Sequence, residues 1–153
     1  MSDCVFCNIV QGSIPCAKVW EDENFLAFLD IRPAMEGMTL VIPKSHHQSY
    51  IFNESDEVIV QLLGASRKVA RMLEKAFGVK RVAAVAEGVG VSHLHIKLYP
   101  LHGFNEKFKS EFPKENMYFE KYPGYISTQL GPENTREKLQ DIANLIRSKN
   151  TQN

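Results

Sequence analysis

The chain has 153 residues, of which 44% are hydrophobic and 24% charged, and its 18 basic residues are matched by 18 acidic ones. Such a chain is expected to form one domain (1–153) that buries its own core, and the balanced charge excludes a global field that would draw it onto nucleic acid or an anionic membrane. There is no basic leader ahead of an apolar run and no 18-residue apolar stretch, so the expectation is a cytoplasmic protein with no membrane or nucleic-acid partner. Three cysteines, an odd count, argue against a disulfide framework.

In chain order, "KVWEDENFLAFLDI" reads as two strands around the polar turn "EDEN", and "MTLVIPKSHH" as a short β-branched run stopped by Pro43. From Asn53 to Phe77 the period changes. Val58, Leu62, Ala65, Val69, Met72 and Ala76 fall at steps of four and three, one face of a helix, with Asn53 or Ser55 as N-cap and Gly78 as C-cap. "RVAAVAEG" and "VSHLHIKLYP" read as a further strand pair around a glycine-containing turn. Residues 102–133 have no sustained period and read as a long surface loop. Asn134 with Glu137 then caps a last helix in which Leu139, Ile142, Ala143 and Ile146 share a face. The sum is an α+β domain: an antiparallel sheet, a long helix packed on one face, and a C-terminal helix.

Within "GVGVSHLHIKLYP", His93, His95 and Lys97 are two apart. On a strand, residues two apart share a face and lie about 6.6–7 Å from one another. Leu94, Ile96 and Leu98 take the other face, which must be the core side. Gly88 and Gly90 precede the histidines and allow a ligand to approach the backbone closely. Three readings are open: an amphipathic strand with a wet outer face, an H-x-H metal chelate, or the working edge of an enzyme. Cys4-Val-Phe-Cys7 has the C-x-x-C spacing of a zinc half-site, and His46, His47, His93 and His95 are the candidates to complete it. Two small hydrophobes or a redox pair would have the same spacing. Cys16 has no partner spacing and reads as structural.

Four blocks in order, "CVFCNIVQGSIP", "VWEDENFLAFLDIRP", "GMTLVIPKSH" and "HLHIKLYP", resemble the histidine triad (HIT) superfamily over about residues 4–102, leaving 103–153 as an extension. The resemblance implies a HIT fold paired as a homodimer, a purine-nucleotide pocket, and a histidine that attacks the α-phosphorus, which falls on His95. It implies that Phe28, Asp30 and Ile31 line the base and ribose pocket, with the carboxylate on the ribose hydroxyls. In the zinc-bearing branch the metal ligands match Cys4, Cys7, His46 and His93, a structural Zn²⁺. Backbone N–H groups around Gly88, Gly90 and Ser92 are available to cradle a phosphate. A neutral imidazole is a suitable nucleophile toward an anionic phosphorus centre, and displacement leaves a nucleotidyl-histidine for a second acceptor.

The departures from the family pattern are specific. Lys97 stands where the third triad histidine belongs, Met38 where a histidine usually follows glycine, and "GVGVS" replaces the usual Gln and Ser before the triad. Lys97 still offers a cation to phosphate. A related branch, resembling galactose-1-phosphate uridylyltransferase, has Gln at the third place and transfers the nucleotidyl group to phosphate. The functional expectation is therefore a nucleotide hydrolase or nucleotidyltransferase with His95 and Lys97 as catalytic residues. A non-catalytic nucleotide sensor and a zinc-stabilised scaffold are the alternatives. His102 reads as a bystander.

Overall fold

The apolar run Phe25–Leu29 forms a strand buried on both faces, and the rest of the sheet is built around it. The structure, a computed structural model, describes residues 3–104, 118–127, 134–135, 137–138 and 141–142. It divides into two compact units, residues 1–107 and 108–153. In the first, a short helix α1 (Val5–Val10) is followed by strands β1 (Lys18–Glu21), β2 (Phe25–Leu29) and β3 (Thr39–Pro43). Helix α2 (Asp56–Phe77) comes next, then β4 (Val82–Val85) and β5 (Ile96–Pro100). The sheet has the order β1-β2-β3-β5-β4 with every neighbouring pair antiparallel, so β5 inserts between β3 and β4. Among the described residues no helix is long and apolar enough to cross a membrane.

Strand alternation divides the core into two layers. Phe25, Ala27, Val41, Leu94, Ile96 and Leu98 pack with Leu62, Ala65, Val69 and Leu73 of α2. Leu26, Phe28, Leu40 and Ile42 point the other way and pack with Phe6 of α1. Helix α2 begins at Ser55, whose Oγ accepts from the Val58 N–H, and ends at Gly78 in the left-handed region (φ 63°). Asp56 and Glu57 in its first turn and Lys75 in its last complement the helix dipole.

Two expectations need correction. The inner face of α2 turns at its C-terminal end: Met72 is 41% exposed and Ala76 is exposed, whereas Leu73 is 3% exposed and completes the seam. Three and four residues beyond Val69 both fit a 3.6-residue period, and the angle at which the helix crosses the sheet decides between them. Leu73→Ala should therefore cost about 2–5 kcal/mol and Met72→Ala no more than about 0.5 kcal/mol, measured by denaturant unfolding. The reverse order would contradict this packing.

The second correction concerns "VSHLHIKLYP". Strand β5 starts only at Ile96, and His93 and His95 lie in the irregular connection before it. The ladder with β3 stops at the Val41–Ile96 pair. Two places further along β3 stands Pro43, which has no N–H to donate, and the Leu94 N–H bonds instead to the His47 carbonyl at 3.0 Å. The face alternation survives this break.

Of the second unit, residues 118–127 are irregular, with Phe119 and Tyr125 in edge-to-face contact. Glu137, Lys138, Asp141 and Ile142 are helical. Thr135 Oγ1 accepts from the Lys138 N–H at 3.2 Å, so this bond comes from the residue after the expected cap, Asn134. Leu139, Ala143 and Ile146 of the expected helix lie outside the described residues, as does most of the loop before it.

Candidate active site

Helix α1, not anticipated from the sequence, roofs the histidine face of the sheet. Its Phe6 ring sits edge-on to His93 at 5.8 Å, to His95 at 5.6 Å and to Phe28 at 5.5 Å. His93 and His95 are consequently buried, so the face read as open to water is covered around both rings. A six-residue helix is too short to carry a readable period, and the usable signal was Phe6 between the two cysteines.

His95 Nδ1 donates to the His93 carbonyl at 2.7 Å. That bond fixes the tautomer and leaves the lone pair on Nε2. Burial pushes the His95 pKa below its ordinary value and Lys97 pushes in the same direction. The carbonyl bond, Glu87 and Asp30 oppose the shift. The neutral imidazole is the favoured form.

His95 lines a cavity of about 310 Å³ whose wall comes mainly from three places. The region of α1 and the segment after it contributes Phe6, Ile9, Ile14 and Cys16 among others. Residues 28–31 contribute Phe28, Asp30 and Ile31, and the 86–95 connection contributes Val89, Gly90 and Val91. Lys97 closes the wall beside His95, and its Nζ donates to Glu87 Oε2 at 3.0 Å. Asp30 Oδ1 accepts from the Arg32 N–H at 2.7 Å, which holds its carboxylate at the end of β2. Ile31 is 92% exposed and forms part of the rim.

The fold thus gathers Phe28, Asp30, Ile31, Gly90, His95 and Lys97 around one cavity. Gly88 and Ser92 are not in its lining. Gly88 (φ 73°) lies against the backbone after β3, where an added Cβ would meet the Ser49 carbonyl oxygen at 3.0 Å, and its own carbonyl accepts from Ser49 Oγ. Ser92 lines a neighbouring cavity with Cys4 and His46. Cys16, read as structural, is in the wall of the His95 cavity. Met38 is buried in the loop before β3, where its sulfur accepts from the Ala34 N–H. His102 Nε2 donates to the Glu36 carbonyl at 2.9 Å and its ring packs on Phe77, away from the cavity lining.

Behind the cavity, Cys4, Cys7, His46 and His93 converge with their donor atoms all within 4.8 Å of one another. Cys4 is the N-cap of α1 and Cys7 lies one turn on, which aims both thiols the same way. Cys4 Sγ is 3.4 Å from His93 Nδ1, and Cys7 Sγ is 3.3 Å from His46 Nδ1 and 3.6 Å from His93 Nδ1. A tetrahedral ion with sulfur at ~2.3 Å and nitrogen at ~2.05 Å has a sulfur–nitrogen edge of about 3.5 Å, so the donor set fits one four-coordinate metal ion. His93 Nε2 donates to the Pro43 carbonyl at 2.9 Å, the outer-shell bond that turns Nδ1 toward such an ion. His47 is outside the set and pairs with Glu54 at 2.8 Å.

Five antiparallel strands, one long helix on one face, and a buried histidine pair under a short roof on the other define an α+β protein of the HIT fold. The HIT domain family matches residues 11–103, and the chain belongs to that family. It is 40% identical over 111 residues to Protein hit of Bacillus subtilis, covering 69% of this chain and 76% of that one. It is 31% identical to adenosine 5'-monophosphoramidase hnt1 of Schizosaccharomyces pombe, covering 94% of this chain and 98% of that one. A crystal structure of a HIT-family member from B. subtilis superposes with a TM-score of 0.65 at 32% identity, covering 96% of each chain.

Proposed function

We propose that this chain is a nucleotide hydrolase or nucleotidyltransferase that acts at the α-phosphate of a purine nucleotide through a nucleotidyl-His95 intermediate. The observation that carries the reading is His95 itself: buried, tied through Nδ1 to the His93 carbonyl, and lining a cavity of nucleoside-accommodating size. The Nε2 lone pair forms the N–P bond as the bond from phosphorus to the leaving group breaks. Water or another acceptor then takes the nucleotidyl group from His95. Lys97 supplies positive charge beside the phosphorus as negative charge builds on its oxygens. Phe28 and Ile31 give the base apolar walls, and Asp30 holds the ribose hydroxyls. The phosphoramidase name of the fission-yeast relative supports a nucleoside phosphoramidate as the substrate type, and a dinucleoside polyphosphate is the other candidate. Brief incubation with each, followed by intact-protein mass spectrometry, should show the mass of one nucleotidyl group added to the wild type.

A nucleotide sensor without turnover is the second reading, and the ion pair that engages Lys97 favours it. It would give thermal stabilisation by nucleotide with no labelling of His95 and no product.

The Cys4, Cys7, His46 and His93 cluster belongs to a structural Zn²⁺, since soft thiolates with imidazoles in a four-donor set suit that ion. When bound, the ion would clamp α1 to the sheet and supply no step of the reaction. The chain also forms a homodimer through an edge strand of the sheet, β1 and β4 being the edges among the described residues. Sedimentation at micromolar concentration should give the mass of two chains, and a monomer would count against the pairing.

A further inference from the structure

Among the described residues, the cavity that would take the phosphates is short of positive charge. Its described lining contains two charged side chains, Asp30 and Lys97. Lys97 is engaged by Glu87 at 3.0 Å, with side chains only 21% and 13% exposed respectively. Glu87 is not in the lining, so its carboxylate backs the ammonium from behind. Its place follows from the strand register: Val85 is opposite Lys97, and Glu87 is two residues past Val85, where β4 has ended. Asp30 and Lys97 offset one another within the described lining, and the Glu87 carboxylate on Lys97 adds a further negative charge. A site for a long phosphate chain would be expected to carry the opposite sign.

We propose that Glu87 sets the charge the substrate meets at Lys97 and so selects against nucleotides with long phosphate chains. The inference rests on the nucleotide reading above and adds a specificity residue to it. Glu87 is a positioning residue that acts through Lys97: it holds the ammonium at the cavity wall and cancels part of its field. A substrate with one phosphate charge can use Lys97 while Glu87 stays in place. Each further phosphate adds an anion that is repelled by Glu87 and Asp30 in a setting where solvent screens poorly.

The test is calorimetric titration of adenosine, AMP and the α,β-methylene analogues of ADP and ATP, which resist cleavage at the α-phosphate. Wild type, Glu87→Gln and the double variant Glu87→Gln/Lys97→Met are compared at fixed ionic strength in magnesium-free buffer. Glutamine keeps the size and an oxygen acceptor for Lys97 while removing the charge. Glu87→Gln should leave adenosine affinity unchanged and tighten the phosphorylated ligands by a factor that grows along the series, about three- to tenfold per added phosphate. The double variant should lose that gradient. If adenosine binds and Glu87→Gln changes all four ligands equally or none of them, the charge role of Glu87 is overturned while the nucleotide reading stands. If no ligand in the series binds any of the three proteins, the nucleotide reading falls and this inference with it.

Discussion

His95→Ala is expected to lower turnover of a nucleoside phosphoramidate or dinucleoside polyphosphate at least about a thousandfold while nucleotide binding changes little. The imidazole contributes one atom to the reaction and only a small part of the cavity wall. Phe28, Asp30, Ile31, Gly90 and the α1 roof remain to hold a nucleoside. Intact-mass labelling, seen with the wild type, should vanish in the variant. Lys97→Ala should slow formation of the intermediate by roughly 10²–10³-fold, the cost of losing one preorganised charge at a developing oxyanion. Lys97→His should restore or raise hydrolysis if a third histidine at this place works as a proton donor, since imidazole exchanges protons near neutral pH more readily than an alkylammonium. Wild-type turnover in His95→Ala would exclude the covalent mechanism outright. Tight binding by wild type without any labelling of His95 would make the sensor reading the correct one.

Cys4→Ser is expected to cost stoichiometric zinc and much of the thermal stability together. An ion at a free concentration a thousandfold above its Kd stabilises the folded state by about 4 kcal/mol. For a domain of this size each kcal/mol moves Tm by about 2–4 °C, so the shift should be roughly 8–16 °C, read by calorimetry beside metal analysis. The same ligand loss should reach the reaction. Cys4 and Cys7 anchor the ends of the first turn of α1, Phe6 of that turn covers His95, and His93 supplies the carbonyl that orients His95. Residual activity in Cys4→Ser should therefore fall below that of wild type and recover little on adding zinc. Wild-type protein purified without chelator and found free of stoichiometric metal would remove the zinc assignment.

Much of the fold was readable in the linear pattern because strands and helices impose short-range periods. The alternation of Leu94, Ile96 and Leu98 with His93, His95 and Lys97 predicts which side chains share a face, and that holds even though β5 starts only at Ile96. The cap at Ser55 and the left-handed Gly78 bound α2 for local reasons, a side-chain acceptor at one end and a missing Cβ at the other. The convergence of Cys4, Cys7, His46 and His93 followed from the resemblance, and the 3.3–3.6 Å spacings between sulfur and nitrogen atoms are what the structure adds.

By itself, then, the sequence determined the α+β class, the order of the elements from β1 to β5, the face on which the histidines stand, and which residue types were available for metal and phosphate. Tertiary structure alone decided that this face is roofed, that Gly88 fits against Ser49 while Gly90 enters the cavity, that Leu73 and not Met72 completes the seam of α2, and that Lys97 is paired with Glu87. The physical reason is range. Periods and caps act over a few residues of one segment, whereas these four outcomes depend on how separate segments cross, where a ladder stops at Pro43, and which charges are brought together by the β4–β5 register.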